Sequence, residues 1–187
     1  MSHLEQTAQD VGRIYSEVDR AVNAFTISSK LNCIAGCGKC CLFPEIETTV
    51  LECLPAAFAA VASGTIEESF ADLSSSESKC PWFRAGANKG QGSCTSYETR
   101  PLICRMFGQS ATLDKSGSAR LVTCSILKGK AGVDAKDAPL METYSRQLWS
   151  LHPQLGKEFF PIRVAMQRAI ELVQQAQYYQ DAESPNS

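Results

Sequence analysis

Cys33-Ile34-Ala35-Gly36-Cys37-Gly38-Lys39-Cys40-Cys41 sets four sulfurs within nine residues, and the glycines at 36 and 38 let the backbone curl until several face one point. A second knot follows at Cys94-Thr95-Ser96-Tyr97-Glu98-Thr99-Arg100-Pro101-Leu102-Ile103-Cys104-Arg105-Met106-Phe107-Gly108, and Cys80 and Cys124 bracket it. All nine cysteines fall between positions 33 and 124, whereas the two histidines, His3 and His152, lie outside that zone. Soft thiolates select zinc, copper(I) or iron–sulfur clusters, and zinc sites commonly draw ligands from C-x(2–4)-C spacings. Cys33-x3-Cys37 and Cys37-x2-Cys40 both satisfy that rule.

The expected ligands are therefore Cys33, Cys37, Cys40, Cys41, Cys80, Cys94, Cys104 and Cys124. Cys53 stands apart, because its neighbours Leu51 and Leu54 mark it as a small apolar residue of a helix. Eight thiolates can fill two four-coordinate sites, or one site and a redox pair. Cys40 and Cys41 are adjacent, so their side chains tend to diverge and one can serve a different centre from its neighbour. The centre is all-cysteine, compatible with zinc or an iron–sulfur cluster such as 4Fe-4S. The competing reading is a set of buried free thiols.

Composition supports a metal in place of disulfides. No apolar run between Met1 and Arg20 forms a signal-peptide core, and no stretch is long and apolar enough to span a bilayer. The expected compartment is the cytoplasm, where thiols stay reduced. An odd cysteine count also fits poorly with a closed disulfide framework. The net charge of −2 and the lack of a basic cluster exclude nucleic acid and anionic membrane as expected partners.

Around the cysteines the pattern is helical. Leu4, Ala8, Val11, Tyr15, Val18, Val22 and Phe25 alternate steps of four and three, one seam of an N-terminal helix within residues 1–31. Phe43-Pro44-Glu45-Ile46-Glu47 reads as extended. Thr49 with Glu52 matches a capping box and opens a helix, with a kink or restart expected at Pro55 and a stop at Ser63-Gly64. Thr65 with Glu68 opens a short helix through Phe70 and Leu73, and Ser74–Ser78 is a polar loop. Residues 84–93, rich in glycine, read as an exposed loop. Ala111–Leu113 and Ala119–Thr123 flank a turn and form a small β-hairpin. Two more helices fill 138–180: Pro139 opens the first and His152-Pro153 closes it. Ile162, Met166, Ala169, Val173 and Ala176 stripe the last, which ends near Tyr179. The expected fold is mostly α with one small β-hairpin: a cysteine-rich, metal-centred core (33–124) wrapped by N- and C-terminal amphipathic helices. It forms a single domain over 1–180, with a disordered tail at 181–187.

Cys37-Gly38-Lys39-Cys40-Cys41, the Thr-x-x-Glu helix start, and the run from Cys94-Thr95-Ser96-Tyr97-Glu98-Thr99-Arg100-Pro101 through Cys104-Arg105-Met106-Phe107 together resemble the YkgJ-type CxxCxxCC family. Its domain is described as zinc- or iron-chelating. The resemblance covers about residues 33 to 124 and implies that the eight cysteines above are the metal ligands. Here three residues separate Cys33 from Cys37, where the signature has two. A related cysteine domain in the flagellin lysine methylases resembles an iron–sulfur module. By that analogy, another protein is an expected partner, and the role is accessory to a protein-modifying or redox pathway.

Arg100, Arg105 and Tyr97 are candidates for the layer just outside the ligands. The arginines would offer hydrogen bonds or charge to thiolates, and Tyr97 and Phe107 would exclude water. On the alternative reading, Arg100 and Arg105 pair with Glu98 or Glu52. Arg105→Leu is expected to weaken metal retention if the first reading holds. Cys33-x3-Cys37-x2-Cys40 also has the radical-SAM spacing, but a long helix precedes it and no strand–helix succession follows. Cys37-x2-Cys40 with Lys39 has the spacing of a thiol-redox pair, without the βαβ surroundings of that class. Adjacent thiolates also suit a copper(I) carrier. With so few histidines and no nucleophile set, a binding module is a better reading than an enzyme.

Overall fold

The seam from Leu4 to Phe25 forms α1 (His3–Ser29), which buries Thr7, Ala8, Val11, Tyr15, Val18, Val22 and Phe25 along one face. The computed structural model describes residues 2–43, 46–66, 80–88, 90–124, 126–127 and 133–183, with residues 181–183 described by backbone alone. Thr49 caps α2 (Val50–Ser63), its side-chain oxygen accepting the Glu52 N–H at 3.3 Å, and Gly64 ends the helix at φ 68°. The restart expected at Pro55 does not occur, because α2 runs through it as one helix. Leu51, Cys53, Leu54 and Ala57, fully buried on both sides of that proline, hold the turn in place. The second capping box at Thr65 and the loop at 74–78 lie outside the described residues, apart from Thr65 and Ile66.

Two short strands join the starts of the main helices. β1 (Glu47–Thr49) runs into α2, and β6 (Phe159–Pro161) runs into α6 (Ile162–Glu183). They pair antiparallel in the register Glu47–Pro161, Thr48–Phe160 and Thr49–Phe159, and the Ile162 N–H donates to the Ile46 carbonyl at 2.9 Å. The strap sets α2 beside α6. The alanines of α2 (Ala56, Ala57 and Ala60) and Ala165 and Ala169 of α6 allow close approach there. α1 packs on α2, and α4 (Met141–Leu151) closes the core through Leu148. His152-Pro153 also opens a short helix, α5 (Pro153–Gly156). α6 reaches Glu183, so Asp181–Glu183 are helical rather than part of a disordered tail.

Among the described residues the rest is two small two-stranded sheets and a short helix, α3 (Leu102–Met106). β4 (Ser110–Leu113) and β5 (Ala119–Val122) form the hairpin expected from the sequence, with Asp114 organising its turn. The loop expected over 84–93 is a hairpin at its ends: β2 (Phe83–Ala85) pairs with β3 (Gly92–Cys94). Each strand is three residues long and β3 contains a glycine, so no alternation was there to read. The fold is mostly α with small β-hairpins. No described helix is long and apolar enough to cross a membrane.

Candidate metal centre

The first cysteine loop has almost no regular structure of its own, and backbone pairing holds it in place. The Gly38 N–H donates to the Gly90 carbonyl at 3.0 Å, the Gly92 N–H to the Gly36 carbonyl at 2.9 Å, and Cys37 bridges to Gln91. Loop 36–38 is thus a third, short partner for the β2–β3 hairpin. The Cys80 N–H donates to the Cys41 carbonyl and the Phe83 N–H to the Cys80 carbonyl, both at 3.1 Å, while Phe83 pairs with Cys94 across the hairpin. One set of main-chain bonds therefore gathers Cys37, Cys41, Cys80 and Cys94.

The Phe83 ring lies against two residues that have no Cβ. A methyl on Gly38 would enter the ring, and one on Gly92 would enter both the ring and the Arg84 carbonyl oxygen. Gly92→Ala is therefore expected to cost about 2–3 kcal/mol through overpacking against fixed backbone. Its midpoint in urea should fall together with the rate at which the loop protects its cysteines from alkylation. Unchanged values would show that β3 has room to give.

Cys104 arrives on α3. The Leu102 N–H at the start of that helix donates to Glu52 Oε2 at 2.8 Å, so a buried carboxylate of α2 caps it. Arg105 holds the preceding turn: its guanidinium donates to the Arg100 carbonyl at 2.9 Å and bonds the Glu98 carbonyl and the Asp19 carboxylate. It also lies over the Tyr15 ring, 4.2 Å from the centroid. Arg100 stacks on Tyr97 at 3.7 Å and pairs with Asp19 at 3.7 Å.

The eight thiols are electrostatic neighbours. Burial raises Cys33, and so do Cys37, which also hydrogen-bonds it, then Cys40 and Cys124. Burial pushes Cys80 up to about 11, against the Trp82 and Phe83 N–H groups and the charge of Arg163. Cys104 is raised by burial and by Cys80, Cys40 and Cys94. Cys94 is raised by burial, with the Ser96 N–H and Arg100 acting against it. At the adjacent pair, the hydrogen bond from Cys41 lowers Cys40 to about 6, and Cys41 rises in return. So many sulfurs repel one another as thiolates, and the cations that lower a thiol here are Arg100 at Cys94 and Arg163 at Cys80. A soft cation supplies the missing charge and deprotonates a coordinating thiol outright. The donor set fits such an ion.

Nothing local in the sequence pointed to Arg163 as part of this region, because it reaches it from a distant helix, and Glu52, expected as an arginine partner, instead accepts the Leu102 N–H. All nine cysteines are free thiols, with Cys33 and Cys40 exposed and Cys53 and Cys80 buried. As the side chains stand, no three Cys, His, Asp or Glu among the described residues close a cage. Cys53, set aside from the sequence, lies within electrostatic reach of Cys104 and Cys80 from inside the helical core. His3 and His152 meet edge to face, their ring centroids 6.2 Å apart. Tyr97 is 59% exposed and, with Trp82, Cys94 and the alanines of α2, lines a cleft of about 640 Å³. Phe107, expected to shield the sulfurs, lines a different cleft with Thr112, Val122 and Glu142.

A mostly helical scaffold whose nine cysteines are all free thiols carries the donor chemistry of a metal-binding protein. Residues 32–125, half of the chain, match the CxxCxxCC family, described as "Putative zinc- or iron-chelating domain", and the chain belongs to that family. Its cofactor is accordingly of the zinc or iron type. Neither the curated proteins nor the solved structures include a match to it.

Proposed function

We propose that this chain is a metal-binding module that holds zinc or an iron–sulfur centre through Cys33, Cys37, Cys40, Cys41, Cys80, Cys94, Cys104 and Cys124. It acts in the cytoplasm as an accessory to a redox or protein-modifying reaction. The observation that carries the reading is the pairing of loop 36–38 with hairpin β2–β3, which makes neighbours of cysteines distant in sequence. Exposed Cys33 and Cys40 leave the rim open to an incoming ion, and turning their side chains inward is the movement that completes a cage. Arg100, stacked on Tyr97, moderates the charge at Cys94. When bound, zinc supplies structural cross-linking, whereas an iron–sulfur centre supplies one-electron chemistry.

The test is anaerobic purification of the full chain followed by metal analysis, visible spectroscopy and thermal unfolding with and without chelator. Brown protein with bound iron and sulfide identifies the iron–sulfur form. Colourless protein with stoichiometric zinc identifies the zinc form. In either case chelation should lower the unfolding midpoint, because binding to the native state alone stabilises it by mass action. Folded, metal-free protein that takes up neither ion would overturn the reading.

A further inference from the structure

We infer that the cleft between α3, the β4–β5 hairpin and α4 binds a free amino acid with an apolar side chain. The ammonium sits on Glu142, the carboxylate on Arg146, and the side chain against Ile103, Phe107, Val122 and Met141. The site is separate from the metal-binding reading above, since neither Glu142 nor Arg146 is among the candidate ligands.

The cleft has the size and the lining of a small-molecule site. Its volume is about 430 Å³, within the roughly 300–1,000 Å³ usual for such sites. Ile103, Phe107, Val122 and Met141 supply an apolar wall, and Phe107 is 40% exposed. Against that wall stands one carboxylate that is only half satisfied. Glu142 Oε1 accepts the Leu113 N–H at 3.0 Å and bonds the Thr112 hydroxyl. Oε2 is buried and has no hydrogen-bond partner among the described residues. Buried polar atoms are nearly always hydrogen-bonded, so this oxygen calls for a donor, and Glu142 lines the cleft from which one can come. Ser110 is fully buried on the same face of β4 as Thr112, opposite Val122 in the register, and its Oγ lacks a partner too. An ammonium brings three donors to such a wall.

Arg146 decides what else the ligand carries. It lines the same cleft one turn along α4 from Glu142, where an i, i+4 pair of opposite charge ordinarily closes. Among the described residues no ion pair joins the two, because the bonds to β4 hold the carboxylate. Burial raises the Glu142 carboxyl, but the Thr112 hydroxyl, the Leu113 N–H and the charge of Arg146 outweigh it and keep the group below the usual carboxylate range. The cleft therefore offers one negative and one positive group beside an apolar wall. A simple amine leaves Arg146 unanswered, and a simple carboxylic acid meets Glu142 as a like charge. An α-amino acid carries both charges on one carbon, and side chains one helical turn apart, about 5–6 Å between Cβ atoms, can straddle it. A peptide N-terminus lacks the adjacent carboxylate. The apolar wall selects side chains of the leucine, methionine or phenylalanine kind.

The experiment titrates the reduced full chain with L-leucine by isothermal calorimetry. It then compares 3-methylbutylamine, which lacks the carboxylate, 4-methylpentanoate, which lacks the amine, and glycine, which lacks the side chain. Leucine should bind, and each of the three should bind at least tenfold more weakly. Glu142→Gln should weaken leucine at least tenfold and leave 4-methylpentanoate no weaker than in wild type. Arg146→Met should weaken leucine by a similar factor and leave the amine unchanged. Ser145→Phe should fill the cleft and abolish binding. Circular dichroism checks folding, and if Glu142→Gln does not fold, the exposed Arg146 keeps the comparison decisive. Absence of binding by leucine, methionine and phenylalanine up to their solubility would overturn the inference, and so would an amine that binds as tightly as leucine. Bound metal should be the same in all variants, so either failure leaves the metal-binding reading standing.

Discussion

Arg105→Leu is expected to lower folding stability by about 3 kcal/mol, while each molecule that remains folded keeps its metal. The Arg105 side chain is 1% exposed and its carboxylate partner Asp19 is 43% exposed. Removing the guanidinium strands the Arg100 and Glu98 carbonyls, both of which it satisfies, and uncovers the Tyr15 ring. Asp19 turns to water at little cost, and the loss therefore sits below the upper end known for broken buried pairs. What fails is the tie between α1 and the turn that presents Cys104. Arg105→Lys keeps a charge for Asp19 but not the planar fork that reaches both carbonyls, so it should lose about half as much. Urea unfolding measures the midpoints, and metal analysis on the folded fraction separates the two roles. Normal unfolding with metal lost would instead assign the guanidinium directly to the thiolates.

The helices were legible in the sequence because each has one buried stripe and a recognisable end. The four-and-three steps from Leu4 to Phe25, the Thr49–Glu52 capping box and the stripe from Ile162 to Val173 all describe the faces that pack. The hairpin at 110–122 could be read because Asp114, Ser116 and Gly117 announce its turn. The β1–β6 strap could not, because three residues carry no period and their pairing is fixed by where α2 and α6 must begin.

The cysteines themselves were legible as a set, since four of them fall within nine residues and all nine lie between positions 33 and 124. Their arrangement was not. The loop at 36–38 finds Gly90 and Gly92 through main-chain groups that every residue possesses, and only the absence of side chains at Gly38 and Gly92 permits the contact with Phe83. Cys53 shows the other side of the problem. Its apolar neighbours correctly placed it in the core, yet they gave no hint that the core passes beneath Cys80 and Cys104.

Glu52 tests the link between that core and the site, and Glu52→Ala is expected to cost about 3 kcal/mol by leaving the Leu102 N–H unsatisfied and opening a cavity. The carboxylate is 6% exposed; Oε2 accepts from Leu102 at 2.8 Å and Oε1 meets the Thr49 hydroxyl at 3.2 Å. With α3 uncapped, Cys104 should lose its metal to a chelator faster than in wild type. Glu52→Gln separates charge from shape. Burial raises the Glu52 carboxyl above its usual 4.5, and the hydrogen bonds from Leu102 and Thr49 only partly oppose this. A carboxyl whose folded value is raised keeps its proton in the native state after the unfolded chain has released it. Its contribution to stability is therefore complete below the unfolded value and falls as pH rises through the folded one. Wild type should lose stability relative to Glu52→Gln as the pH is taken from about 4 to about 7, the difference levelling off above the raised value. Urea midpoints of the two proteins across that range measure it, and because the same cysteines titrate in both, their contribution cancels. Curves that stay parallel would mean that the hydrogen bonds fully offset the burial of this carboxylate and that α3 is capped at no electrostatic cost.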